Sequence, residues 1–157
     1  MKIRLIITII YLRKNTLIID KREILFRGQK VNNTDWVYGD LIHGVGEKSG
    51  KLYILPLIKF YPTGCNSLDG WEIKPESVGQ FTGEVDVNKT NIFQGDIVSM
   101  DDEFEDPEIS EVIYEKGGFS VEGNFGEYDV TTIGWAIEMM YEIKVIGNIY
   151  DNPELLK

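Results

Sequence analysis

The chain has 157 residues, 43% of them hydrophobic, which suits one domain or two small lobes sharing a core and is too apolar for wholesale disorder. Its formal net charge of −10 repels phosphate backbones and disfavours general nucleic-acid binding through a basic face. The single cysteine, Cys65, forbids an internal disulfide and fits a reducing compartment, and with the single histidine, His43, it falls short of the three or four ligands of a Cys/His zinc site.

Residues 1–21 differ in character from the rest of the chain. In its first twenty positions Lys2, Arg4, Arg13 and Lys14 stand against one acid, Asp20. The apolar run Leu5–Leu12 starts like a signal peptide, but "RKNT" occupies the place where a small-residue cleavage site belongs. It is also far shorter than the roughly 20 apolar residues of a membrane span. The segment is expected to be an N-terminal extension without membrane anchoring, and two readings of it stand: an added β-rich segment, since Ile and Thr dominate, or an over-extended gene start with true initiation near Leu17.

From residue 22 onward, glycines recur every few positions between short β-branched and aromatic runs, the pattern of short strands and tight turns. "REILFRGQ" (22–29) reads as a strand in which Leu25 and Arg27 share one parity and Ile24 and Phe26 the other. Asn32–Asn33 is a turn and Trp36–Ile42 a second strand, together a hairpin. "GVGEKSGK" (44–51) fails the P-loop spacing and the dinucleotide-loop spacing, and no helical pattern comes after it. It reads as a hairpin loop. "LYILPLI" (52–58) is a third strand, with Pro56 pointing to an edge or a bend. Pro75 can open a one-turn helix over Pro75–Val78.

In "NIFQGDIVSM" (91–100), Gly95 permits a tight bend, and the Asp96 side chain can accept bonds from nearby backbone N–H groups. Ile97 then starts a strand, with Val98 and Met100 on one side. "SEVIYEKGGFSVEG" (110–123) is a hairpin turning at Lys116–Gly118, with Val112 and Tyr114 on one face. Trp135, Met139 and Ile143 have helical spacing while "EIKVI" alternates, so a short helix or turn precedes a strand. Asn152 before Pro153 makes a helix start near the end.

The fold class expected is mainly β (β-rich α+β): short twisted strands, hairpins and few short helices. Two lobes are expected, about 22–84 and 85–157, the C-terminal half a small SH3-like barrel begun by "GDIV".

Chemical signals are sparse. Asp96, Asp101, Asp102, Glu103, Glu105, Asp106, Glu108 and Glu111 crowd one stretch, but Phe104 and Pro107 break any regular comb of cation ligands. A solvated acidic loop is expected, not a metal site. His43 and Cys65 read as loop residues without a chemical task. No G-x-S-x-G or H-E-x-x-H occurs, and one histidine cannot serve two catalytic roles. Aromatic residues are plentiful and are expected in cores and interfaces. No catalytic residue, metal ligand or cofactor is assigned, and no ligand-binding residue can be singled out.

Three segments in this order, "REILFRG…WVYGDLI", "PESVGQFTG…IFQGDIV" and "VIGNIYDNPELL", resemble the YopX family of small proteins encoded by phages and prophages. The resemblance covers about residues 22–157, and "EVDVNKTN" (84–91) departs from it where relatives have a lysine-rich turn with glycine. It implies a mostly β fold, a phage context, a location in the host cytoplasm and an oligomeric state. It brings no catalytic residues with it. The function expected is a non-enzymatic binding or assembly protein whose partner is a protein, a second copy included. The alternative is a nucleic-acid-related module, binding single strands through aromatic residues or mimicking DNA with acidic ones. A metal-dependent hydrolase ranks third.

Overall fold

The computed structural model describes residues 23–56, 70–101, 106–125, 128–139 and 141–157. The N-terminal extension, Cys65 and residues 102–105 of the acidic stretch lie outside the described residues. The fold is mainly β, as its glycine-punctuated pattern requires.

The first sheet has six antiparallel strands in the order β4-β3-β2-β1-β5-β6. They are β1 (Phe26–Gln29), β2 (Trp36–His43), β3 (Leu52–Pro56), β4 (Trp71–Ile73), β5 (Gly79–Val85) and β6 (Asn91–Phe93). β1 and β2 form the expected hairpin, with Arg27 opposite Tyr38 and Gln29 opposite Trp36. The sheet curls until its end meets its middle. Lys30, just past β1, bridges to Ile73 of β4, and the Lys74 amide donates to the Gln29 carbonyl at 2.8 Å. Gly28 makes the approach possible: a Cβ there would lie 2.5 Å from Ile73 Cδ1. Pro75–Ser77 is a 3-10 turn, one residue shorter than expected, and it plugs the curl. The buried Ser77 hydroxyl accepts from the Gln29 amide at 2.8 Å and donates to the Lys74 carbonyl at 2.7 Å. β3 lies between β2 and β4, so Pro56 marks the end of an interior strand and not an edge. Position 56 sits opposite Gly39, where the missing N–H removes only the last rung of the ladder.

The second half contains two three-stranded antiparallel sheets, β12-β7-β8 and β11-β10-β9. Here β7 is Asp96–Asp101, β8 Glu108–Glu111, β9 Ile113–Glu115, β10 Gly118–Phe125, β11 Tyr128–Thr132 and β12 Glu142–Asn148. Residues 108–115 form one bent ribbon. β8 pairs with β7, β9 pairs with β10, and Val112 is the hinge between them. Val112 is fully buried there, whereas Tyr114 is 57% exposed and leans edge-on against Phe119. The even alternation expected for Val112 and Tyr114 is broken by that bend.

A single helix among the described residues, α1 (Ile133–Glu138), precedes β12. The Thr132 hydroxyl accepts from the Trp135 amide and caps its start. Its buried face is Ile133 and Ala136, with Ile137 partly buried, and not the Trp135–Met139 stripe that spacing favoured. In six residues, the first inward position sets the face, and Ile133 holds it. At the C-terminus the expected helix is a 3-10 turn, Pro153–Leu156, and Asn152 makes no side-chain capping bond. A core of Val98, Met100, Val112, Phe119, Val121, Ile133, Ala136 and Ile143 unites the two small sheets and α1, and Ile92 of β6 joins it from the first sheet. A smaller apolar group, Leu25, Phe81 and Phe93, lies under the first sheet.

Candidate functional site

The Gly95–Asp96 corner is where the two halves meet. Gly95 takes φ +80°, a left-handed conformation that glycine adopts without penalty. Around it the backbone is bonded in several directions. The Gln94 amide donates to the Gln80 carbonyl of β5 at 2.9 Å, and the Gly95 amide to the Val112 carbonyl at 2.8 Å. The Val112 amide returns a bond to the Asp96 carbonyl at 2.8 Å, and the Ile149 amide reaches the Gly95 carbonyl at 3.0 Å. One corner therefore ties together the first sheet, the bent ribbon and the chain end.

The Asp96 side chain sits inside this knot and is 1% exposed. Its Oδ2 accepts from the Phe93 amide at 2.7 Å, the local turn bond expected from sequence. Its Oδ1 accepts from Arg27 Nη1 at 2.5 Å, a partner 69 residues away. Arg27 is itself 6% exposed, donates to the Gln94 carbonyl at 3.2 Å and lies between the rings of Trp36 and Phe93, 4.8 and 5.1 Å from their centroids. Gly79 allows this packing, since a Cβ there would be 2.4 Å from the Gln94 carbonyl oxygen and 3.3 Å from Arg27 Nε. Burial pushes the Asp96 carboxyl above its ordinary value, and the charge of Arg27 and the Phe93 N–H only partly offset it.

Above this pair opens a cleft of about 610 Å³. Leu25, Tyr38 and Phe93 form one wall and Val145, Gly147 and Asn148 of β12 the other. Arg27 and Asp96 form the floor, and Lys89, Thr90 and Asn91 of the β5–β6 turn form the rim. That turn is built on Asp86, which is buried. Asp86 Oδ1 accepts from the Asn88 and Thr90 amides at 2.8 Å each, and Oδ2 accepts from the Val145 amide at 3.1 Å. Burial alone would raise the Asp86 carboxyl, but the N–H groups of Thr90, Val145 and Asn88 more than reverse this and hold it below its ordinary value. The same turn holds Lys89 at φ +65°, which a non-glycine residue adopts only under such constraint.

Behind the wall, Asp151 accepts from Gln29 Nε2 at 2.8 Å, from the Trp36 indole N–H at 2.7 Å and from Asn148 Nδ2 at 2.9 Å. Tyr150 packs on Trp36 with ring centroids 5.7 Å apart, and its hydroxyl donates to the Glu76 carbonyl. The chain end thereby fixes β12 against the first sheet.

The other sequence-derived candidates do not join this site. His43 is exposed at the end of β2 and lines a separate hollow of about 230 Å³ with Lys48 and Tyr53. In the 44–51 loop, the amides of Gly44, Lys48, Ser49 and Lys51 all donate to carbonyls of the same loop, so they do not converge on an anion. Among the described residues, no group of three or more His, Cys, Asp or Glu converges as a metal site would need. Glu111 is raised by burial and by the nearby Glu122, a like-charge contact across the bent ribbon.

Sequence reasoning passed over Arg27, Asp86 and Lys89. Arg27 left a trace, because it shares its parity with the buried Leu25. Asp86 left another: Asp-x-Asn-x-Thr over 86–90 is the pattern of a side chain capping its own turn.

A profile of the YopX protein family matches residues 25–157. The chain belongs to the YopX family. A curated relative is the SPbeta prophage-derived uncharacterized protein YopX of Bacillus subtilis (strain 168), 39% identical over 69 residues. That match covers 42% of this chain and half the length of the relative. Among solved structures, the family fold recurs in protein EF1440 from Enterococcus faecalis, with a TM-score of 0.51 and 22% identity over 86% of this chain and 99% of that one. It recurs equally in the crystal structure of YopX from Bacillus subtilis, with a TM-score of 0.51 and 24% identity over 85% of this chain and 98% of that one. No helix among the described residues is long and apolar enough to cross a membrane.

Proposed function

We propose that this chain is a phage-derived, non-enzymatic binding or assembly protein of the host cytoplasm, whose partner is a protein, a second copy included. One observation carries the reading. The buried carboxylates at the junction of the two halves are committed to the fold: both oxygens of Asp96 and both oxygens of Asp86 accept hydrogen bonds from within the chain. A general acid or base needs a side chain within bonding reach of a reacting proton, and these carboxylates hold the architecture instead. The net charge of −10 favours protein over nucleic-acid partners. The prophage origin of the Bacillus subtilis relative supports the phage context.

A nucleic-acid reading has two contacts in its favour. Lys30 sits 4.1 Å over the Trp71 ring and Lys48 lies 5.2 Å from that of Tyr53. Yet Lys30 is paired with Asp35, and Tyr53 and Lys51 meet Glu72, so carboxylates stand where a strand's phosphates would pass. One experiment tests both readings: affinity purification of the full chain from host cells carrying the prophage, with and without nuclease, and light scattering of the purified chain. A nuclease-resistant stoichiometric protein partner, or a dimer or larger mass, is the expected result. A strict monomer that retains no protein overturns the proposal, and recovery lost to nuclease selects the second reading.

A further inference from the structure

The lining of the cleft is less acidic than the chain as a whole. The chain carries 26 acids against 16 bases, yet the lining contains two bases, Arg27 and Lys89, and one acid, Asp96. That acid turns both oxygens to Arg27 and the Phe93 amide. Lys89 forms no ion pair among the described residues, and the Asp86-built turn fixes the backbone from which its ammonium extends. The Asp86 carboxylate behind this rim is turned to three backbone N–H groups, so Lys89 is the charged group an entering anion would meet. The volume of the cleft, about 610 Å³, is that of a small-molecule site. Its wall offers Tyr38, half exposed and tilted against Phe93 at 5.5 Å between ring centroids, beside Leu25 and Val145. Asn91 adds an amide at the rim. One cation without an ion pair among the described residues and an aromatic wall match a ligand with one acidic group and a flat body, not a polyanion that would need a run of cations.

We propose that this cleft binds a small organic anion, its phosphate or carboxylate on Lys89 and its flat unsaturated body against Tyr38. The site goes beyond the protein-partner reading and does not depend on it, since a monomeric chain keeps the whole cleft. Phosphate and carboxylate are separated by the choice of probe. The full-length chain is titrated by ligand-observed NMR with adenosine 5′-monophosphate and with indole-3-acetate, and with the uncharged adenosine and 3-methylindole.

At least one anion is expected to bind saturably at roughly millimolar concentration or below, and its neutral counterpart at least ten times more weakly, about 1.4 kcal/mol. Binding weakens with added salt. Lys89→Gly, which suits the positive φ, and Lys89→Gln, which keeps most of the side-chain length, both leave the thermal midpoint near that of the parent and weaken the anion about tenfold. Lys89→Arg retains binding. No saturable binding of either anion, equal binding of the neutral counterparts, or an affinity unchanged in both charge-removing variants overturns the proposal.

Discussion

The two halves of this molecule close around apolar cores of different size and share one buried pair. The C-terminal half closes around a continuous apolar core in which Val98, Met100, Val112, Val121 and Ile143 are almost wholly removed from water. The N-terminal half has a smaller apolar cluster, with Ile54 and Ile73 also buried, and encloses Arg27, Gln29, Ser77 and Thr82, each with a specific hydrogen-bonding partner or turn, where the C-terminal half encloses Asp86, Asp96, Ser110 and Ser120. The N-terminal half also relies on close backbone approach at Gly28 and at Gly39, where a Cβ would lie 1.9 Å from the Leu55 carbonyl oxygen. Apolar burial is non-directional and tolerates repacking, whereas a buried ion pair demands one geometry. Directional polar contacts thus run through both halves, the larger apolar cluster belongs to the second, and Asp96 belongs to both, opening β7 while accepting from Arg27.

The largest effect should come from breaking that shared pair. Arg27→Met leaves Asp96 buried without its cation and should cost about 3–5 kcal/mol in urea unfolding. The double variant Arg27→Met with Asp96→Leu should cost clearly less than the two single changes added, because neither leaves the other's charge stranded. Additive losses would mean that the pair does not couple the halves.

Next comes the apolar side. Ile143→Ala on β12 should cost about 3 kcal/mol by transfer and cavity formation together. A loss larger than that of Arg27→Met would show that the C-terminal core, and not the ion pair, dominates the junction.

The smallest effect is a pH signature that separates two buried aspartates. Asp86 is held below its ordinary value near 3.8, so its stabilisation is present above that pH and is lost as pH falls through the folded value. Burial would raise Asp151, but its bonds to Asn148, Trp36 and Gln29 outweigh that and lower it, so it behaves in the same way. Asp96 is raised by burial, so its contribution is present below about 3.8 and is lost as pH rises through its folded value. Asp86→Asn should therefore flatten the acid-side loss of stability below about pH 4. Asp96→Asn should flatten a decline with rising pH above it. Urea midpoints measured between pH 3 and 6 check both, and parallel shifts in the two variants would contradict the assignment.

Much of the fold was legible in the residues because its cues are local. Alternation marked the strands, "NN" and "KGG" marked the hairpin turns, and Pro75 marked the turn that plugs the curl. The errors arose where a neighbour overrode a local rule. Val112 is drawn inward by the Gly95–Asp96 corner, which breaks the alternation with Tyr114. α1 turns Ile133 and Ala136 inward because its six residues have room for one buried face. The candidate site was scarcely legible at all, and its local half alone, the Asp96 turn bond to Phe93, was expected.

The sequence by itself determined the β character, the succession of hairpins and the family, because strand period, turn chemistry and segment order are written in neighbouring residues. Tertiary structure alone decided that Arg27 answers Asp96 across 69 residues, that Asp86 reaches Val145 across 59, and that Asp151 ties down Gln29 and Trp36 from the far end of the chain. A buried charge must find a counter-charge or a set of N–H donors, but nothing in its own neighbourhood says which. The folded geometry selects those partners, and the same selection leaves Lys89 without an ion pair among the described residues at the rim of the cleft.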